Sequence, residues 1–107
     1  MATILNNRLA KLRALVVDDL QNMRQNIRTQ LGQLGIEQVD QASSPDDAIK
    51  FIRNANYDVI ICDYNLNKET NGQQMLEFLR SNKMLSPTAM FFMVPGESSY
   101  DSVASTA

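Results

Sequence analysis

The chain predicts an α/β fold built around a mostly parallel sheet. Two observations carry this. Short apolar runs alternate with amphipathic stretches, giving four β/α units. The run Val59-Ile60-Ile61-Cys62 is also apolar throughout and mostly β-branched, as expected of a strand covered on both faces.

Each element has its own local argument. Ala14-Leu15-Val16-Val17 is a short apolar run closed by two aspartates, Asp18 and Asp19. Leu20, Met23, Ile27, Leu31 and Leu34 then recur at helical spacing, and Gly35 is placed to end that helix. Gln38 to Ala42 reads as a short strand. Ser44-Pro45-Asp46-Asp47 is a helix start: Ser caps, Pro fits the first turn, and the acids lie near the positive end. Ala48, Ile49, Ile52 and Ala55 form that helix's buried stripe. Tyr64 to Asn71 is polar and loop-like. Met75, Leu76 and Leu79 mark a third helix, and Met90 to Val94 an apolar fourth strand. Ser98 or Ser99 is placed to cap a last helix through Val103, and no fifth strand follows.

A length of 107 residues predicts one domain with a modest core. Residues 1–11 read as an N-terminal extension and residues 12–107 as the domain. The net charge of −2 gives no electrostatic footprint for nucleic acid. No apolar run approaches the ~20 residues of a membrane span, and the N-terminus lacks the apolar block of a signal peptide. The single cysteine, Cys62, cannot close an intrachain disulfide and fits a reducing cytoplasm. With no histidine, His-based triads, His-rich metal sites and phosphohistidine donation are excluded.

Three aspartates stand out. Asp18 and Asp19 follow the first strand, and Asp63 lies just past the third. In the flavodoxin-like doubly wound order 2-1-3-4-5, strands 1 and 3 are neighbours at the topological switch point, where such sheets bind ligands. Three carboxylates there repel one another, and a hard divalent cation offsets that cost. Mg²⁺ takes oxygen ligands and retains waters. A carboxylate beside it can act as a nucleophile towards a phosphoryl group. Asp after a strand is also an ordinary helix cap, and Asp19 before Leu20 could serve so. The pair together with Asp63 is the more specific signal.

At these residues the chain resembles the receiver domain of two-component response regulators, over roughly Arg13 to Thr106. Leu15-Val16-Val17-Asp18-Asp19 resembles that family's first strand and acidic pair, and Asp58 to Leu66 the segment around its phosphoacceptor. Asn71-Gly72-Gln73-Gln74-Met75-Leu76 is similar to the Gly-led entry to its third helix, and Met93 to Glu97 to the end of its fourth strand. The resemblance implies a sheet of order 2-1-3-4 with the fifth β/α unit missing. It implies that Asp63 accepts a phosphoryl group from a histidine kinase or phosphotransfer protein. Asp18, Asp19, Asp63 and the backbone carbonyl of Asn65 would hold Mg²⁺. Such a protein is a cytoplasmic phosphorelay component rather than an enzyme, although it assists its own phosphorylation and dephosphorylation. Direct contact with membrane or nucleic acid is not expected.

The chain departs from the family pattern in three places. Pro95 stands where the family carries Thr or Ser; it has no hydroxyl, no backbone N–H, and a fixed φ. The family's lysine after strand 5 has no counterpart, since the last lysine is Lys83, and neither has the aromatic residue on strand 5. This is the pattern of a receiver truncated before its fifth unit. The loop after Asp63 carries Asn67 where many members have Pro, and it is one residue longer before Gly72. Without a fifth strand, Met90-Phe91-Phe92-Met93-Val94 becomes an uncharged apolar edge, which predicts self-association or exchange of elements between chains.

Other residues read more plainly. Cys62 is expected to be a buried strand residue, and the six methionines core filling. Gln21, Arg24 and Arg28 form a solvated helix face, which in the family often meets the kinase. Glu97 is a helix-start acid, and Tyr100 carries no assignment. The alternative function is a degenerate receiver acting as a phosphorylation-independent interaction module. A phosphohydrolase using an aspartyl nucleophile would carry a second Asp two residues after it, where this chain has Asn65.

Overall fold

The computed structural model describes residues 8–66 and 70–95. Along the chain lie β1 (Arg13–Val17), α1 (Gln21–Leu34), β2 (Gln38–Ala42), α2 (Pro45–Asn54), β3 (Val59–Asp63), α3 (Gly72–Ser81) and β4 (Met90–Val94). The sheet has the expected order β2-β1-β3-β4, with all three pairings parallel. The helix expected from Ser98 or Ser99 to Val103 lies outside the described residues, as do Asn67, Glu97 and Tyr100.

Two cores sandwich the sheet. Leu15, Val17, Ile60 and Cys62 point to the side where Ala48 and Ile52 of α2 and Met75 and Leu79 of α3 pack. Ala14 and Val16 point to the other, against Leu31 and Ile36, with Leu9, Leu12 and Ile27 part-buried around them. This alternation along β1 is the period-2 geometry of a strand, and each fully buried aliphatic side chain contributes about 1.5–3 kcal/mol.

The helix starts follow from local chemistry. Ser44 Oγ accepts the Asp47 N–H at 3.1 Å, and Pro45 opens α2. Ala48 and Ile52 are buried, with Ile49 and Ala55 packed beside them, as the stripe predicts. At α3 a reciprocal capping box forms: the Gln74 N–H donates to Asn71 Oδ1 and the Asn71 N–H to Gln74 Oε1, each at 2.9 Å.

Several expectations need correction. α1 begins at Gln21, and Leu20 is its N-cap, 42% exposed. Leu34 is 64% exposed, so the apolar stripe of α1 does not reach its last turn. The cause is the helix end. Gly35 adopts φ 105°, and the Ile36 N–H returns to the Leu31 carbonyl at 2.9 Å. This turn brings Ile36 into the core in place of Leu34. β3 is covered fully on one face only: Ile60 and Cys62 are buried, whereas Val59 and Ile61 are half-buried. Their neighbours Met90 and Phe92 on β4 are exposed, because β4 is the edge among the described residues. Asp63 is the last residue of β3 rather than the first beyond it.

At the N-terminal ends of the strands a polar network closes the sheet. The Arg13 N–H donates to Asp58 Oδ2 at 2.9 Å, and the Asp58 N–H to the Arg13 carbonyl at 2.8 Å. The Tyr57 hydroxyl donates to Asp40 Oδ2 at 2.5 Å. The Arg13 guanidinium lies 5.4 Å from the Tyr57 ring centre and 3.4 Å from Asp40 Oδ2. Burial, then the Asp40 hydrogen bond, push the Tyr57 hydroxyl above its usual range.

Candidate functional site

Parallel pairing carries the C-terminal ends of the strands to one side of the sheet. Val17 pairs with both Ala42 and Cys62, and Asp63 with Val94. Asp18 therefore emerges beside Asp63. Both are buried, at 1% and 3% exposure, while Asp19 is exposed. The three residues offer carboxylate oxygens that all lie within 4.8 Å of one another. The structure thus brings together the three acids singled out in the sequence.

Asp18 is held on several sides. Its N–H donates to the Ala42 carbonyl at 3.1 Å. Its Oδ1 accepts the Leu20 N–H at 2.9 Å. Its backbone carbonyl accepts from Arg24 Nη1 at 2.6 Å. Oδ2 alone is buried with no hydrogen-bond partner. A buried carboxylate oxygen left in that state is costly, and a cation is the partner its chemistry fits. The Asp18 carboxyl is raised from the ordinary 3.8 to about 6, chiefly by burial; the Leu20 N–H works against this, and the Asp63 and Asp19 carboxylates add to it.

Asp63 Oδ1 accepts the Asn65 N–H at 3.2 Å, an Asx-type turn that starts the loop. Asn65 is half-buried and bridges to Asn71. Next to it, Tyr64 donates its N–H to Val94 at 3.1 Å and accepts the Gly72 N–H at 2.7 Å. A Cβ on Gly72 would lie 3.0 Å from the Asp63 carbonyl oxygen and 3.3 Å from Met93 Cγ and Sδ. Glycine is what lets the start of α3 sit against the end of β3. Cys62 is buried, its Sγ 3.2 Å from the Asp63 carbonyl, and burial pushes the thiol up to about 12; it is a core residue, as expected.

Pro95 is exposed and directly follows Val94, the partner of Asp63, so the strand end facing the acids has no hydroxyl at either position. Lys83 precedes β4, at the far end of the sheet from the acids. The expected capping role of Asp19 is not found: α1 starts without a side-chain cap, and Asp18 takes the Leu20 N–H. Arg24 was assigned to a solvated face, yet it is half-buried and folded back onto Asp18. Nothing in its spacing distinguishes it from Arg28. The Asn71-to-Gln74 capping box was legible as an N-cap residue followed three positions later by Gln.

Residues 14–105 match the family model described as the response regulator receiver domain. The chain belongs to this family. The receiver is 27% identical over 96 residues to the chemotaxis protein CheY of Pseudomonas aeruginosa, covering 90% of this chain and 76% of that protein. Among solved structures it is similar to the chemotaxis response regulator CheY4 of Vibrio cholerae: TM-score 0.66, 27% identity, 77% of this chain and 66% of that one. It is also similar to a Francisella response regulator receiver domain, with TM-score 0.69, 25% identity, and 89% and 74% coverage. The receiver fold of these proteins agrees with the four-stranded order found here. Among the described residues, no helix is long and apolar enough to cross a membrane.

Proposed function

We propose that this receiver is a Mg²⁺-dependent phosphoacceptor in a two-component phosphorelay, with Asp63 as the acceptor. The observation that carries the reading is the buried, unpartnered Oδ2 of Asp18 within a cluster of three carboxylates. Asp18, Asp19, Asp63 and the Asn65 carbonyl would hold the ion, which supplies neutralisation of charge on the transferring oxygens. An Asp63 carboxylate oxygen attacks phosphorus, the bond from phosphorus to the donor's histidine nitrogen breaks, and an acyl phosphate remains on Asp63. The donor is a histidine kinase or phosphotransfer protein in the cytoplasm. A hollow of about 320 Å³ at the start of α1, lined by Leu20, Gln21, Asn22, Met23 and Asn26 directly after Asp19 in the chain, is where it would approach. The receiver is not an enzyme on a separate substrate; it assists only its own phosphorylation and hydrolysis.

Incubation with acetyl phosphate and Mg²⁺, followed by intact-mass measurement, tests this. Phosphoryl mass that requires Mg²⁺ and vanishes in Asp63→Asn supports the reading. No adduct on folded, Mg²⁺-binding protein, with rapid hydrolysis excluded, favours the second reading, a phosphorylation-independent interaction module. Val94-Pro95 beside Asp63 is the observation in that reading's favour. Among the described residues β4 is the edge of the sheet, and its apolar surface supports self-association under either reading.

A further inference from the structure

We infer that Arg24 is a positioning residue for Asp18, setting the direction in which Asp18 and Asp19 present their carboxylates; the inference rests on the cation-binding reading above. Arg24 reaches back from α1, and its Nη1 donates to the Asp18 carbonyl oxygen at 2.6 Å. It is a short hydrogen bond with a cationic donor. The side chain is half-buried rather than spread in solvent.

The geometry explains why this bond matters. The Asp18 N–H is fixed to Ala42 at the end of β2, and Oδ1 is fixed to the Leu20 N–H. The Leu20 bond closes a turn that already restricts rotation about the Asp18 Cα–C bond, but neither bond engages the Asp18 carbonyl oxygen. Arg24 does, and so narrows the tilt of the peptide between Asp18 and Asp19 further. The same peptide plane carries the Asp19 nitrogen, so one hydrogen bond orients the exit of both acids. With every other polar atom of Asp18 bonded, Oδ2 remains as the buried, unpartnered oxygen. Arginine suits the task because its charge persists at any pH at which the protein is folded. Groups that orient metal ligands from behind change metal affinity about 10- to 100-fold when removed.

Calorimetric titration of Mg²⁺ into wild type, Arg24→Gln and Arg24→Lys tests the assignment, with melting temperatures recorded in EDTA and in Mg²⁺. Arg24→Gln is expected to bind Mg²⁺ at least about tenfold more weakly. Arg24→Lys, which still offers one cationic N–H, is expected to stay within about threefold of wild type. The Mg²⁺-induced rise in melting temperature should shrink in Arg24→Gln. A merely structural role would lower both melting temperatures equally and leave the dissociation constant unchanged, which would overturn the inference. On wild type itself, the Arg24 guanidinium resonances should stand apart from those of the other arginines and shift when Mg²⁺ is added. Absence of that shift overturns it even if Arg24→Gln does not fold. Wild type that binds no Mg²⁺ removes the cation reading and this inference together. Wild type that binds Mg²⁺ and accepts phosphoryl, beside an Arg24→Gln of equal affinity, removes the Arg24 assignment alone.

Discussion

Asp18 and Asp63 stand side by side one register step beyond the Val17–Cys62 pair, both buried. The Asp18 carboxyl is thereby raised from 3.8 to about 6, chiefly by burial and secondarily by the Asp63 and Asp19 charges. An acid whose folded value is raised holds its proton more tightly in the native state. Its contribution to stability therefore falls as pH rises from about 4 to about 6, and is least favourable above that. In EDTA, Asp18→Asn should stabilise the protein near neutral pH and change it little near pH 4. Urea denaturation at both pH values measures this, and a pH-independent difference contradicts it.

Leucines of the core and the leucine that ends α1 make opposite predictions. Leu79 and Leu15 are fully buried, so either one changed to Ala should cost about 2–5 kcal/mol. Leu34 is 64% exposed, so Leu34→Ser should stay within about 0.5 kcal/mol of wild type. Equal losses at Leu34 and Leu79 in denaturant titrations would return Leu34 to the core.

Much of the fold is legible because its signals are local. Ser44-Pro45 and Gly35 each act through their own backbone chemistry, and the structure uses them as read; the β-branched run at Val59 forms its strand, but with only one face fully covered. The acidic trio needed one non-local assumption, the adjacency of strands 1 and 3, and the pairing of Val17 with Cys62 supplies it. What was missed depends on packing. Leu20 and Leu34 have core chemistry, yet a helix that starts one residue later and ends in a left-handed turn leaves both outside. Arg24 has surface chemistry, yet it finds a carbonyl six residues back. Tyr57 was not singled out, since its partner Asp40 lies on another strand.

Gly72→Ala reverses an ordinary expectation. At a compatible position this change stabilises by about 0.4–1 kcal/mol. Here the new methyl group meets the Asp63 carbonyl at 3.0 Å, a backbone atom with little room to move. A loss of about 1–3 kcal/mol is expected, with a melting temperature lower by about 4–8 °C per kcal/mol. Met93→Ala in the same chain should recover only part of it, because the carbonyl contact remains. Thermal denaturation of wild type and the two variants decides the point.

Phe92 is 46% exposed at the middle of β4, and none of the strand's residues is charged. Phe92→Lys should therefore reduce concentration-dependent association in sedimentation velocity, leaving the fold intact. A wild type that sediments as a monomer at all concentrations would refute the proposed self-association.

Arg13, Asp40, Tyr57 and Asp58 tie the sheet together away from the acids, through hydrogen bonds and an ion pair. The two rims of one sheet thus divide its energetics. Substitutions at the bonded rim act on the robustness of the chain and leave the carboxylate cluster alone. The acidic rim holds a raised carboxyl and a buried, unpartnered oxygen at the expense of robustness, a cost the bonded rim helps to offset.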